Sequence, residues 1–112
     1  MRPALLAALL ASLVLAPGAA ATTAPELIVG VSVSLTSHAV QLSSKQAVRG
    51  NYVEFRVRNR TAHRRLFTMA GRTIVVPARK LRLLAIMFDV RGTYRYISRG
   101  DGTVIRGTFR VS

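Results

Sequence analysis

The 112-residue sequence contains no cysteine and no tryptophan, and only four acidic residues stand against seventeen lysines and arginines. Without cysteine the chain can form no disulfide and offers no thiolate to a metal or a substrate. No pair of carboxylates has a spacing that suggests acid–base catalysis, and no Gly-x-Ser-x-Gly turn presents a serine nucleophile. We therefore do not expect an enzyme, and the stability of the fold must come from packing.

The first residues have the pattern of a secretory signal peptide. Met1–Pro3 is a short basic start, Ala4–Ala16 is an almost unbroken apolar run, and a Pro-Gly break is followed by three alanines. This pattern predicts a leader of residues 1–21 and export to the periplasm, the cell wall or the medium. A membrane anchor is the alternative, but a run of 13 residues is shorter than the ~20 that span the hydrocarbon core. A lipid anchor would need a cysteine at the cleavage point.

Removal of the leader leaves one domain, residues 22–112, with 16 basic and four acidic residues and a net charge of +12. Solubility alone requires less charge than this. The charge favours an anionic partner, either an anionic envelope component or an acidic protein surface. The alternative is that the charge serves mainly solubility. Nucleic acid is not expected, because the chain has few aromatic residues for base stacking and is predicted to be exported.

Apolar and polar residues alternate in several short segments that are bounded by turn residues. The clearest alternation surrounds Phe55, and another covers Leu27–Leu35. Leu81–Phe88 is apolar nearly throughout, so periodicity alone does not separate a strand from a helix there, but Pro77 and Gly92 bracket a run of strand length. Seven or eight short strands without a convincing helix predict an all-β fold, an antiparallel sandwich or barrel.

The second half of the chain carries an ordered set of motifs. Residues 51–59, 92–96 and 107–111 read Asn-Tyr-Val-Glu-Phe-Arg-Val-Arg-Asn, Gly-Thr-Tyr-Arg-Tyr and Gly-Thr-Phe-Arg-Val. In this order and spacing they resemble the cupredoxins, the small blue-copper electron carriers, and the resemblance extends over Leu27–Ser112. It implies a cupredoxin-like, antiparallel Greek-key β-sandwich of seven to eight strands.

The copper-ligand positions that the resemblance implies are occupied by other residues. The first histidine position, six residues after Asn59, is Arg65. The cysteine position is Ser98, the methionine position is Ile105, and residues 99–104 contain no second histidine. Blue-copper sites use two imidazoles and a thiolate, whereas arginine is a fixed cation and serine is a poor soft ligand. The resemblance therefore implies the fold without a type 1 copper site and without a cofactor.

The two histidines keep a different metal site open as an alternative. His63, with His38 and either Met69 or Met87, could form a weak, non-blue copper site, and the chain would then be an atypical copper-binding or electron-transfer protein. However, two histidines 25 residues apart have no metal-ligand spacing. The other interpretation is that both histidines are surface loop residues with no shared partner.

The resemblance further implies that loops rich in arginine converge at one end of the sandwich, the end at which copper carriers dock their partners. The candidate contacts of an anionic group there are Arg64, Arg65, Arg72 and Arg99. Guanidinium groups bind carboxylates and phosphates through forked, bidentate hydrogen bonds. The alternative is that Arg65 is buried in the vacated site and pairs with Asp101, because an isolated buried charge is costly. We expect a non-catalytic binding module with a basic surface.

Overall fold

The computed structural model describes residues 28–112, so the predicted signal peptide, residues 1–21, lies outside the described residues. Within this range the chain forms nine strands: Ile28–Leu35 (β1), Val40–Leu42 (β2), Gln46–Ala47 (β3), Tyr52–Asn59 (β4), Arg65–Met69 (β5), Arg72–Val76 (β6), Leu81–Met87 (β7), Gly92–Gly100 (β8) and Thr103–Val111 (β9). No helical segment in residues 28–112 has the length and apolar character to cross a membrane.

The strands form two sheets. One has four strands in the order β2-β1-β4-β7, and the other has five in the order β3-β9-β8-β5-β6. In both sheets, alternate side chains point to opposite faces, so the period-two pattern of the sequence separates an inner face from an outer face. In β4, for example, Phe55 and Val57 are buried while Arg56 and Arg58 are exposed.

The apolar core lies between the two sheets. Its centre is an aromatic cluster in which Phe55 of β4 contacts Phe109 of β9, with ring centroids 5.3 Å apart. Phe88, directly after β7, packs against both rings and against Tyr94 of β8. Because aromatic side chains bury large apolar areas, this cluster supplies much of the packing that a domain without disulfides requires.

The predicted all-β sandwich is confirmed, and the structure refines it in two respects. The described residues contain nine strands because the segment between β1 and β4 also forms β2 and β3, which have three and two residues. Strands this short show no usable period in a sequence. Two of the pairings, β1 with β4 and β3 with β9, are parallel. A period-two pattern shows which face is buried but carries no information on the direction of the neighbouring strand.

The apolar run before Phe88 is a strand, as its flanking residues predicted. In β7, Leu84 and Ile86 are buried, whereas Leu81 and Leu83 are 41% and 56% exposed. Apart from Arg82 the run is apolar on both of its faces, although only one face enters the core. Its outer face leaves leucines on the surface of the four-stranded sheet.

Candidate functional site

Three of the implied ligand positions lie together at one end of the five-stranded sheet. Arg65 begins β5, Ser98 lies on the neighbouring β8, and Ile105 lies opposite Ser98 on β9. Arg65 and Ser98 are buried, and Ile105 is half-buried. The strand pairing therefore collects these three positions at one end of the sandwich.

Arg65 is enclosed at this end of the sandwich, with only 1% of its surface exposed. Its Nε donates a hydrogen bond of 2.9 Å to Oγ of Ser98, which is fully buried. Its Nη1 donates a second bond of 3.1 Å to the carbonyl oxygen of Gly100. Two positions at which the resemblance implies copper ligands are thus hydrogen-bonded directly to each other.

The guanidinium of Arg65 has no carboxylate partner among the described residues. Of the carboxylates there, Glu54 lies 3.5 Å from Nε of Arg56, and Asp101 lies 3.7 Å from Nε2 of His63, which forms an ion pair only when the imidazole is protonated. The expected pairing of Arg65 with Asp101 is therefore wrong, because Asp101 lies at the exposed turn beside His63. Nη2 of Arg65 is buried and has no hydrogen-bond partner. A buried cation with an incomplete set of partners is costly to the fold.

The end of β8 passes unusually close to Arg65. A Cβ added to Gly100 would lie 2.8 Å from the carbonyl oxygen of Arg64 and 2.8 Å from Cγ of Arg65. Contacts below 3.0 Å of this kind require a shift, and the backbone oxygen of Arg64, directly before β5, cannot shift cheaply. Glycine at this position lets the carbonyl group of Gly100 approach the guanidinium.

Asn59 fixes the loop that leads into Arg65. Its fully buried side chain donates from Nδ2 to the carbonyl oxygens of His63 and Val76, at 2.8 and 3.0 Å. Its Oδ1 accepts from the backbone nitrogen and the hydroxyl of Thr61, at 2.9 and 2.7 Å. These four bonds close a compact turn at the end of β4 and so set the position at which β5 begins.

No protein-family model matches the chain, and no curated protein matches it. A solved structure that does match is a multi-copper oxidase from Pediococcus acidilactici, with a TM-score of 0.50 over 95% of this chain. Such oxidases contain cupredoxin-like domains. The fold is cupredoxin-like. The match has 12% sequence identity and covers 32% of the oxidase chain, so this protein spans about a third of that chain's length.

A likeness at this identity concerns the cupredoxin-like fold alone, so the chemistry has to be judged from the side chains. The residues in the implied ligand positions do not fit type 1 copper. Arg65 is a permanent cation, and the hydroxyl of Ser98 accepts a hydrogen bond from it. Neither group supplies the imidazole or thiolate that such a site uses. Nowhere in residues 28–112 do three or more histidine, aspartate or glutamate side chains form a group that could hold a metal ion.

The residues of the alternative copper site are only partly gathered in this cupredoxin-like fold. His63 is exposed in the loop before β5, and His38 is exposed in the turn after β1. Met69 is buried at the far end of β5, four residues beyond Arg65, which is about 13 Å along a strand. The third ligand of this set therefore lies away from His63.

The predicted arginine cluster is only partly assembled. Arg64 and Arg99 are exposed near the implied ligand end, where Arg99 pairs with Leu66 of β5. Arg65 lies between them but is buried. Arg72 begins β6 opposite Met69, at the other end of β5, so the structure does not bring it to the cluster. The four arginines were grouped from loop order alone, which does not determine which end of a hairpin each residue occupies.

A shallow recess of about 310 Å³ lies beside the buried guanidinium, and Arg65, His63 and Asp101 contribute to its lining. Arg60 also lines it and, through Nε, donates 2.9 Å to Oγ of Ser34. The recess combines cationic and hydroxyl groups with one carboxylate. It marks the implied ligand end as a polar surface.

Sequence reasoning missed three exposed arginines of the five-stranded sheet. Arg95, Arg106 and Arg110 lie on the same outer face as Arg99. The available signal was a four-residue spacing, since Arg95 precedes Arg99 and Arg106 precedes Arg110 by four positions. In a strand, residues four apart share a face. That both pairs share one sheet face depends on the register of β8 with β9.

Proposed function

We propose that this protein is an exported cupredoxin-like domain that binds an anionic partner and performs neither copper-dependent electron transfer nor catalysis. The hydrogen bond between Arg65 and Ser98 carries the proposal. It occupies two implied copper-ligand positions with groups that hold each other instead of a metal. The end of the sandwich that would otherwise contain copper is then a polar, positively charged surface.

The charge distribution supports an anionic partner. In residues 28–112 the acidic side chains are Glu54, Asp89 and Asp101, while most of the arginines are exposed. Glu54 and Asp101 each already contact a basic side chain. A surface with this excess of positive charge attracts anions, and forked guanidinium groups recognise carboxylates and phosphates. Candidate partners are an anionic envelope component or an acidic protein surface.

The proposal is tested by titrating the purified protein with polyglutamate, a simple acidic polymer. Reversing two charges at the implied ligand end, with Arg64→Glu and Arg99→Glu, should weaken binding at least tenfold, equivalent to about 1.4 kcal/mol. The matched control is Arg72→Glu with Arg91→Glu, which changes the net charge equally at the other end of the sandwich, where Arg72 lies opposite Met69 and Arg91 precedes the first residue of β8. We expect the control to weaken binding only slightly at 0.15 M salt, since charges beyond about 8 Å are screened there.

Two results would contradict the proposal. The first is an absence of measurable binding to polyglutamate by the unsubstituted protein. The second is an equal loss in both double variants, which would show that net charge alone drives association and that no surface of the protein is selected.

A further inference from the structure

The outer face of the five-stranded sheet carries a row of four exposed arginines, here called the arginine ladder: Arg95 and Arg99 on β8 with Arg106 and Arg110 on β9. On both strands the residues directly before and after each ladder arginine belong to the opposite, inner face of the sheet. Tyr96 and Ser98 are buried on β8, and Phe109 is buried on β9. The four guanidinium groups are therefore held on one side of a rigid sheet.

The register makes the arginine ladder a zigzag. Arg110 lies opposite Thr93, and Arg95 lies opposite Thr108. Arg106 and Arg99 then face Ile97 and Val104 in the next two rows of the same face. Each step moves to the other strand and advances two residues, about 7 Å, so four arginines span about 20 Å. No two ladder arginines face each other directly, so the repulsion between them is reduced.

No side chain in the described range neutralises the arginine ladder. None of its four arginines donates a side-chain hydrogen bond or forms a salt bridge to another described residue. On the side of the four-stranded sheet, by contrast, Arg56 of β4 pairs with Glu54, and Arg60, directly after β4, donates to Ser34. The ladder guanidinium groups therefore remain available to an external acceptor.

The neighbours of the ladder indicate the chemistry of that acceptor. Thr93 and Thr108 place hydroxyl groups directly opposite two of the arginines. Arginine and threonine side chains are both common donors to phosphate oxygens. Tyr94 and Tyr96 point inward on β8, so this face offers no exposed aromatic ring for a base to stack on. A row 20 Å long also suits an extended polymer better than a small ion, which would touch one or two arginines.

We propose that the arginine ladder binds an extended linear phosphate polymer that carries no bases. This inference rests on the proposed function and deepens it, because it names the face that binds and the class of anion. Guanidinium forks from two strands would alternate along the polymer, and the threonine hydroxyls would add donors at two of the rows. Affinity would come from charge and from the release of counterions, with no side chain inserted into the ligand.

Titration with long-chain inorganic polyphosphate at several salt concentrations tests the inference. With four contacts and about 0.7 units of slope per neutralised phosphate, log K should fall with log salt with a slope of about −3. Replacing Arg95, Arg106 and Arg110 with glutamine should reduce the slope to about −1. The matched control, Arg56, Arg58 and Arg82 to glutamine, has the same net charge and should keep a slope of about −3. Circular dichroism of both variants checks that they fold.

The outcomes separate this inference from the proposed function. Equal salt slopes for both glutamine variants with polyphosphate would overturn the assignment of phosphate binding to the arginine ladder. If polyglutamate binding still depends on Arg64 and Arg99 in that case, the proposed function stands. If the unsubstituted protein binds neither polyglutamate nor polyphosphate, both proposals are overturned. Tighter binding of polyglutamate than of polyphosphate at equal charge would overturn the phosphate assignment. A single-stranded oligonucleotide that binds more tightly than polyphosphate would show that bases are recognised, which also contradicts it.

Discussion

Replacing both members of the buried polar pair, with Arg65→Met and Ser98→Ala, is expected to raise the free energy of unfolding by about 1–4 kcal/mol. The guanidinium is buried without a carboxylate partner, and its Nη2 has no hydrogen-bond partner. Methionine follows much of the path of the arginine stem and carries no charge to desolvate. In the double variant the carbonyl oxygen of Gly100 still accepts a hydrogen bond, because the hydroxyl of Thr103 also donates to it at 2.8 Å.

The single variant Ser98→Ala should change stability in the opposite direction. It leaves Nε of Arg65 buried and without its acceptor, which should cost about 1–3 kcal/mol. Urea unfolding followed by circular dichroism measures both variants on one scale. A double variant less stable than the unsubstituted protein would show that the buried guanidinium contributes more to the fold than its desolvation costs. The pair would then be a structural requirement of this end of the sandwich.

The second large effect is expected at Asn59. Its replacement by alanine removes four hydrogen bonds at once and takes the Nδ2 donor from the buried carbonyl oxygen of Val76, whereas the carbonyl oxygen of His63 keeps the hydroxyl of Thr61 as a donor. Since each lost hydrogen bond costs about 1 kcal/mol and an unsatisfied buried group about 1–3 kcal/mol, we expect a loss of about 3–5 kcal/mol. The matched control is Asn51→Ala at the start of the same segment, where a change within about 0.5 kcal/mol is expected.

Thermal unfolding of the two asparagine variants checks this prediction. Equal stabilities for Asn59→Ala and Asn51→Ala would show that the turn after β4 is held by its backbone alone. Asn59 would then play no part in positioning Arg65. A selective loss in Asn59→Ala would support the account in which the turn sets the start of β5.

The sequence predicted well which side chains of a strand face the core. It predicted poorly which residues of different strands lie side by side. Period two around Phe55 located β4, because a half-buried strand alternates apolar and polar side chains. Counting from Asn59 makes Arg65 the first implied ligand position, and in the structure Arg65 is hydrogen-bonded to Ser98, the implied cysteine position. Arg72 was assigned to the same end although it lies at the opposite end of β5. A count along the chain does not determine how far each hairpin extends.

The alignment of the four arginines of the ladder could not be predicted from the sequence for a related reason. The spacing of Arg95 and Arg99 places both on one face of a strand, but it does not say which strand lies beside them. Only the pairing of β8 with β9 aligns Arg106 and Arg110 into the same row. Likewise, the partners of the Arg65 guanidinium depended on the close approach of Gly100, which no residue pattern in the sequence indicates.

Calorimetric titration of the purified protein with Cu(I) and with Cu(II), in a weakly coordinating buffer, tests the central claim most directly. The claim is that Arg65 and Ser98 have replaced the copper ligands of a cupredoxin-like fold. It predicts no single-site binding of either ion below micromolar concentration. Stoichiometric binding below micromolar that is abolished by His63→Ala would contradict the claim and assign this end of the sandwich to copper.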